Sequence, residues 1–228
     1  MTAGGTRPVI CLVSDGRRAA TRDDEPYVRF LRAAARAGVE LIQVRERGLD
    51  DRRLLSLVRA AVDAAAGTPA RVIVNDRADI ALAAGAAGVH LRADSPPADR
   101  VRPIVPPGFL IGRSVHGEDE ARRAAQSGAD YLILGTIYPS ASKPGETRWL
   151  GLNAVERVAR TSPVPLLAIG GVTADKVGSV AAAGAAGFAA IGLFADVQKE
   201  VADDALDTAL RTLVADLRRA FLAGAVGR

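Results

Sequence analysis

The chain has 228 residues, 49% hydrophobic and 25% charged, which suits one globular α/β domain over residues 1–228 and excludes a disordered or fibrous chain. The net charge of +4 is spread as arginines among aspartates and glutamates without a like-charge block, and aromatics are only 4%, which argues against a stacking platform for single-stranded nucleic acid. The scattered charge reads as a solvated surface or, more sharply, as a local basic pocket for an anionic ligand. The one cysteine, Cys11, lies in an apolar run, so neither an intrachain disulfide nor a cysteine-based metal site is available. The first residues show no signal-peptide pattern and no apolar stretch is long enough to span a bilayer, so a cytoplasmic protein without a membrane partner is expected.

Eight short apolar runs alternate with longer Ala/Leu/Arg segments. The runs are 8–14, 40–45, 71–75, 88–91, 109–115, 130–135, 164–170 and 187–194. They are continuous rather than alternating, as parallel strands buried on both faces require. Helices are predicted over 25–37, 50–66, 77–84, 98–105, 118–127, 151–160, 174–183 and 201–222, several of them entered through Asp or Thr and left through Gly. The phrases AGVELI, AGAAGVHL, SGADYLIL and AGAAGFAAI repeat one helix-end glycine running into a strand. Eight such units predict a single (β/α)₈ TIM barrel, with an open doubly wound sheet as the alternative. The first turn, VSDGRRAATRDDE, lacks the GxGxxG of the open sheet.

Active sites of such barrels lie at the C-terminal ends of the strands. The polar residues there are Gln43, Arg45 and Arg47 on strand two, Asn75 and Asp76 on strand three, His90, Arg92 and Asp94 on strand four, and Arg113, Ser114 and His116 on strand five. Gln43 and Arg45 alternate, so both point into the barrel, where an arginine without a counter-charge is costly and a ligand anion would remove the cost. Asp76 is also a candidate cap for helix three, and His116 a plain helix start. Gly170–Gly171 after strand seven and Gly192 on strand eight fit the phosphate loops of this fold, or tight turns alone. The loop after strand six reads as a lid, with Ser140, Ser142 and Lys143 facing an anion and Gly145 as hinge, or Lys143 as a solvated lysine.

The stretches QVRERG (43–48), VNDRADIALAAGAAGVHL (74–91), IGRSVHGEDEA (111–121), GADYLILGTIYPSASKPG (128–145) and AIGGVTADK (168–176), taken in order, resemble the thiamine phosphate synthase family, whose fold the thiazole tautomerases share. The resemblance implies Mg²⁺-assisted coupling of a pyrimidine methyl diphosphate to a thiazole phosphate. It implies that Gln43 and Arg45 hold the diphosphate, Asn75 touches its phosphates, Asp76 ligates Mg²⁺ and Ser114 contacts the pyrimidine. Ser140, Ser142 and Lys143 would bind from the lid, and Gly171 and Gly192 would hold the thiazole phosphate. Arg45, Ser114 and Lys143 are thus the catalytic candidates, and small phosphorylated molecules the partners, with a homo-oligomer allowed.

Three positions depart from that pattern. The family's second Mg²⁺-binding aspartate falls on Ser95, with Asp94 one residue early as the candidate metal ligand beside Asp76. Arg47 stands where lysine is usual and would serve the same substrate, and Arg92 stands where glycine is usual. These changes move toward the tautomerases, in which His116 would shuttle a proton on a carboxythiazole phosphate without metal. A non-catalytic thiazole phosphate-binding relative is the third reading.

Overall fold

Eight parallel strands close on themselves in the order β1 to β8, each beside its chain neighbours and β8 pairing back to β1, in the computed structural model, which describes residues 7–140 and 148–226. The expected TIM barrel is the observed fold. The strands are β1 (Val9–Val13), β2 (Leu41–Val44), β3 (Arg71–Asn75), β4 (Gly88–Leu91), β5 (Leu110–Val115), β6 (Tyr131–Gly135), β7 (Leu166–Ile169) and β8 (Gly187–Ala190). Around them lie α1 (Glu25–Ala37), α2 (Asp51–Ala65), α3 (Ala78–Ala83), α4 (Ala98–Val101), α5 (Glu118–Gln126), α6 (Gly151–Thr161), α7 (Val177–Ala182), α8 (Gly192–Glu200) and α9 (Leu206–Val226). No described helix is long and apolar enough to cross a membrane.

Strand alternation divides the interior in two. Cys11, Val13, Leu41, Ile73, Leu110, Tyr131, Ile133, Leu167 and Ala189 point inward and fill the lumen. Residues of the other parity, such as Ile10, Leu12, Ile42, Val74, Ile111 and Leu132, pack outward under the helices. Every strand is therefore apolar on both faces, which explains the continuous apolar runs. The same parity carried to the ends of β2–β5 aims Gln43, Arg45, Asn75, His90, Arg92 and Ser114 at the lumen's C-terminal mouth.

The structure differs from the sequence-based elements in several places, among them a 3-10 turn over Ala174–Lys176 at the start of the helix expected over 174–183. Residues 192–194, expected to continue strand eight, begin α8; a short apolar run looks alike in either state. The helix expected over 98–105 stops at Val101 and tightens into a 3-10 turn over Arg102–Ile104, because Pro103 has no N–H and would clash with a carbonyl one turn back. The last helix runs from Leu206, and buries Leu210, Val214, Leu217 and Phe221 along one stripe. Two caps act as expected: the Asp50 side chain accepts from the N–H of Arg53 at the start of α2, and Gly38 (φ 97°) ends α1 in the left-handed region, whereas Asp24 before α1 accepts from the Arg53 side chain and Thr173 makes no cap bond.

Closure depends on the seam between β8 and β1, where Gly187 lies beside Val9. A Cβ at Gly187 would run into the Val9 backbone. Gly187→Ala is expected to cost about 1–3 kcal/mol, lowering the thermal midpoint followed by circular dichroism by roughly 2–4 °C per kcal/mol. An unchanged midpoint would contradict so close an approach.

Candidate active site at the barrel mouth

The end of β2 is built as a bracket. Glu46, 4% exposed, points outward and accepts from the backbone N–H groups of Gly16 (3.3 Å) and Arg18 (2.9 Å), fixing the β1–α1 loop. Ser14 accepts from the Arg45 N–H at 2.7 Å. Between these anchors Arg45 turns into the mouth, half-buried. Its guanidinium is held below its usual pKa range by burial first and then by the like charges of Arg47 and Arg92, opposed by Glu46. Beneath it Gln43, 3% exposed, donates from Nε2 to Asn75 Oδ1 at 3.1 Å, so two predicted ligand-binding amides orient each other.

Asp76 follows Asn75 with φ 62°, the one positive φ outside glycine among the described residues. Aspartate tolerates that conformation better than most residues, and such backbone settings concentrate at functional sites. Asp76 is not the cap of α3: that position is Arg77, and no side chain caps the helix. The Asp76 carboxylate instead meets the end of β4. Ser95 Oγ donates to its Oδ1, and Arg92 Nη1 lies 3.7 Å from its Oδ2. Ser95 is fixed in turn by the Arg92 N–H, which donates to its hydroxyl at 3.0 Å. Asp94, the expected second metal ligand, pairs with Arg92 instead. Of the two neighbours it is Ser95 that touches Asp76.

Arg113 holds this loop in place. It donates to the carbonyls of Pro96 (2.6 Å), Ala93 (2.8 Å) and Ser95 (2.8 Å), clamping the whole β4–α4 turn from β5. Its neighbour Ser114 lies 2.9 Å from Nε2 of His90, whose Nδ1 is 3.2 Å from the Tyr131 hydroxyl. His90 is 2% exposed and Tyr131 is fully buried. Burial first, and then the charge of Arg113, lower the His90 pKa to about 3; burial chiefly pushes Tyr131 well above its usual range. The neutral imidazole has one donor and one acceptor nitrogen, and so links the two hydroxyls in one chain. Gly112 leaves the space that the Tyr131 ring fills. The polar inward position of Tyr131, opposite a glycine, is the sequence signal that would have revealed this chain.

His116 lies one residue past β5 and is exposed, with its N–H donating to Glu120 Oε2 at 2.9 Å and its Nδ1 3.1 Å from the same oxygen. That is the helix-start role. Arg47 is exposed at the rim. Gly170 and Gly171 have φ 98° and 61°, and a Cβ at either would collide with the 136–139 segment, so packing against that segment already requires both glycines. Lys176 braces the same turn, with Nζ 3.4 Å from the Gly171 carbonyl and 4.9 Å from the Tyr138 ring centre. Gly192 opens α8 rather than lying on strand eight; no side chain caps that helix, and a Cβ at Gly192 would meet nothing within 4 Å. Ser140 is half-buried at the edge of the loop after β6, whose stem is closed by Leu150 N–H to the Thr136 carbonyl at 2.9 Å. Ser142, Lys143 and Gly145 lie outside the described residues.

The family model of thiamine monophosphate synthase matches residues 10–194, the barrel from β1 into α8. The chain belongs to the thiamine monophosphate synthase family. A thiamine-phosphate synthase of Methanoculleus marisnigri is 46% identical over 165 residues, covering 72% of this chain and 78% of the relative. One of Chlorobium luteolum is 38% identical over 184 residues, covering 81% and 84%. The solved thiamine phosphate pyrophosphorylase of Pyrococcus furiosus superposes with a TM-score of 0.74 at 28% identity over 91% of this chain and 96% of that one. Within this family's barrel, the mouth of the present chain gathers Gln43, Arg45, Asn75, Asp76, Arg92 and Ser95 on three consecutive strand ends.

Mg²⁺ takes hard oxygen ligands, often only one or two carboxylates completed by substrate phosphates and water. Among the described residues no group of three or more His, Cys, Asp or Glu side chains is close enough to hold a metal ion. The donors that fit are the Asp76 carboxylate and the Ser95 hydroxyl beside it, with the remaining positions left to substrate oxygens and water.

The buried histidine makes stability depend on pH in a defined direction. The folded-state pKa of His90 is below the unfolded value of about 6.5, so the unfolded chain binds the extra proton and stability falls as pH drops from about 6.5 toward about 3. Above about 6.5 both states are neutral and the contribution is constant. Between pH 6 and 5 the wild type should lose unfolding free energy more steeply than His90→Gln, by up to about 1.4 kcal/mol per pH unit, as read from urea titrations. Equal slopes would contradict a neutral, buried His90.

Proposed function

We propose that this family member acts as a thiamine-phosphate synthase, coupling hydroxymethylpyrimidine diphosphate to thiazole phosphate with release of diphosphate. The observation that carries the reading is the convergence of Arg45, Arg92, Asn75 and Asp76 on the ends of three neighbouring strands, where Arg92 pairs with Asp76 and acts electrostatically on Arg45. A pocket for an uncharged substrate gains nothing from several guanidiniums kept close together at partial burial.

The reaction moves one electron pair at each of two bonds. The bond from the pyrimidine methylene carbon to oxygen breaks, and its electrons leave with diphosphate. The thiazole nitrogen then forms the new bond to that carbon and becomes positively charged. Arg45 and Arg47 attract the diphosphate and stabilise the charge that grows on it. The paired amides of Gln43 and Asn75 orient it, and Ser114, set by His90 and Tyr131, contacts the pyrimidine. Asp76 and Ser95 are the residues that would hold Mg²⁺, which when bound supplies further neutralisation of the leaving group. Ser140 binds from the edge of the loop after β6, and the family resemblance assigns substrate binding to Ser142 and Lys143 as well. The first turn of α8 at Gly192 takes the thiazole phosphate on backbone N–H groups, beside the end of β7 that carries Gly171.

With both substrates and Mg²⁺, diphosphate release should match thiamine phosphate formation one to one. Arg45→Gln should lower kcat/KM by about 10²–10³-fold with the fold intact, and His116→Ala should leave it within about threefold, because His116 serves α5. No release by folded wild type at saturating substrates contradicts the reading. Isomerisation of a carboxythiazole phosphate that is lost in His116→Ala would replace it with the tautomerase.

A further inference from the structure

Arg92 is the residue at the mouth that the family pattern does not anticipate, and its surroundings give it a function. It extends the inward-facing parity of β4 one step beyond His90, as Arg45 extends that of β2 beyond Gln43. The strand between them, β3, ends in Asn75 and Asp76, and Asn75 is in register with His90. Asp76 is thus paired with Arg92, while Arg45 lies at the end of the strand on the other side of β3. Arg92 is close enough to Arg45 to lower its pKa, so the two are electrostatic neighbours over the same patch.

Arg92 is also held in a particular place. Its guanidinium bridges Asp94, two residues along the same turn, and Asp76 at 3.7 Å. Its side chain remains 42% exposed and that of Asp94 67% exposed, so both can move without opening the core. The backbone beneath is rigid: Arg113 clamps the carbonyls of residues 93, 95 and 96. A partly exposed cation on a clamped turn thus rests on the carboxylate that would otherwise face a divalent metal. Ser95 offers that metal a neutral oxygen rather than a second charged one, so the site has one anionic ligand fewer and one cation more than two carboxylates would provide.

We propose that Arg92 is a built-in counter-cation for the diphosphate, parked on Asp76 and Asp94 in the free protein and transferred to the phosphate oxygens when the anion enters, so that diphosphate binds without a divalent metal. This rests on the synthase reading and deepens it. A guanidinium can make two parallel hydrogen bonds to phosphate, and exchanging the partly exposed Asp94 pair for that contact is favourable. Asp94 then competes with the ligand for Arg92 rather than binding metal.

The test is calorimetric titration of the full chain with inorganic diphosphate, in EDTA and in saturating Mg²⁺. Wild type should bind in EDTA. Arg92→Gln should weaken that binding by about tenfold or more, with Arg92→Lys intermediate because the charge remains without the fork. Asp94→Asn should tighten it by a few-fold, since Arg92 is released. With saturating Mg²⁺ the loss in Arg92→Gln should shrink to about threefold or less. Thermal melts establish that each variant is folded. Unchanged affinity of Arg92→Gln in EDTA overturns the proposal, as does an equal loss in both media, or Asp94→Asn weakening only the Mg²⁺-supported binding. Wild type that binds diphosphate only with Mg²⁺ also overturns it and leaves the synthase reading standing. Wild type that binds in neither medium and forms no thiamine phosphate removes the synthase reading itself.

Discussion

An arginine that points into a closed barrel needs a counter-charge, and the mouth of this protein is organised by that need. Strand alternation gives no choice about direction. Once Leu41 packs in the lumen, Gln43 and Arg45 must face inward too. Burial and the like charges of Arg47 and Arg92 act against the Arg45 charge, with only Glu46 opposing them. Glu46 itself is committed outward, to the backbone of the β1–α1 loop. On the proposed function, an anion entering between β2 and β4 restores the balance. The substrate is in this sense a missing piece of the fold's electrostatics.

The rest of the site keeps that patch rigid at its edges and adjustable at its centre. Ser14 fixes the Arg45 backbone, Arg113 fixes the turn carrying Ser95, and the buried His90–Tyr131 chain sets Ser114. A fully buried neutral histidine between two hydroxyls provides orientation without adding charge to a cationic pocket. Catalytic geometry is best supported when such second contacts lie on strands rather than on loops, as Arg113, His90 and Tyr131 do here. Arg92, by contrast, is partly exposed and pairs with Asp76 and Asp94.

Much of this was legible before any coordinates. Continuous apolar runs and helix-end glycines lead to eight βα units because a parallel barrel buries both faces of each strand. Polar residues at the strand ends lead to the mouth because a plain barrel strand is apolar. What the sequence concealed came from three causes. The run at 187–194 is short and apolar, so its change from strand to α8 left no periodic signature, and Gly192 changed from a strand residue to the first residue of a helix. Gly170 and Gly171 suggested a ligand approach, yet their close neighbours are residues 136–139, a contact between distant segments. The partners of Asp76 also join separate strands: spacing alone favoured Asp94 as its companion, whereas the turn held by Arg113 brings Ser95 to it and directs Asp94 to Arg92.

The most direct test of the anion cradle is a crystal structure of the chain with diphosphate and thiazole phosphate bound. Diphosphate density should be bounded by Arg45, Arg92 and Asn75, with the thiazole phosphate separately seated at the first turn of α8. Diphosphate bound outside the mouth, or an empty mouth at ligand concentrations that saturate binding in solution, would contradict it.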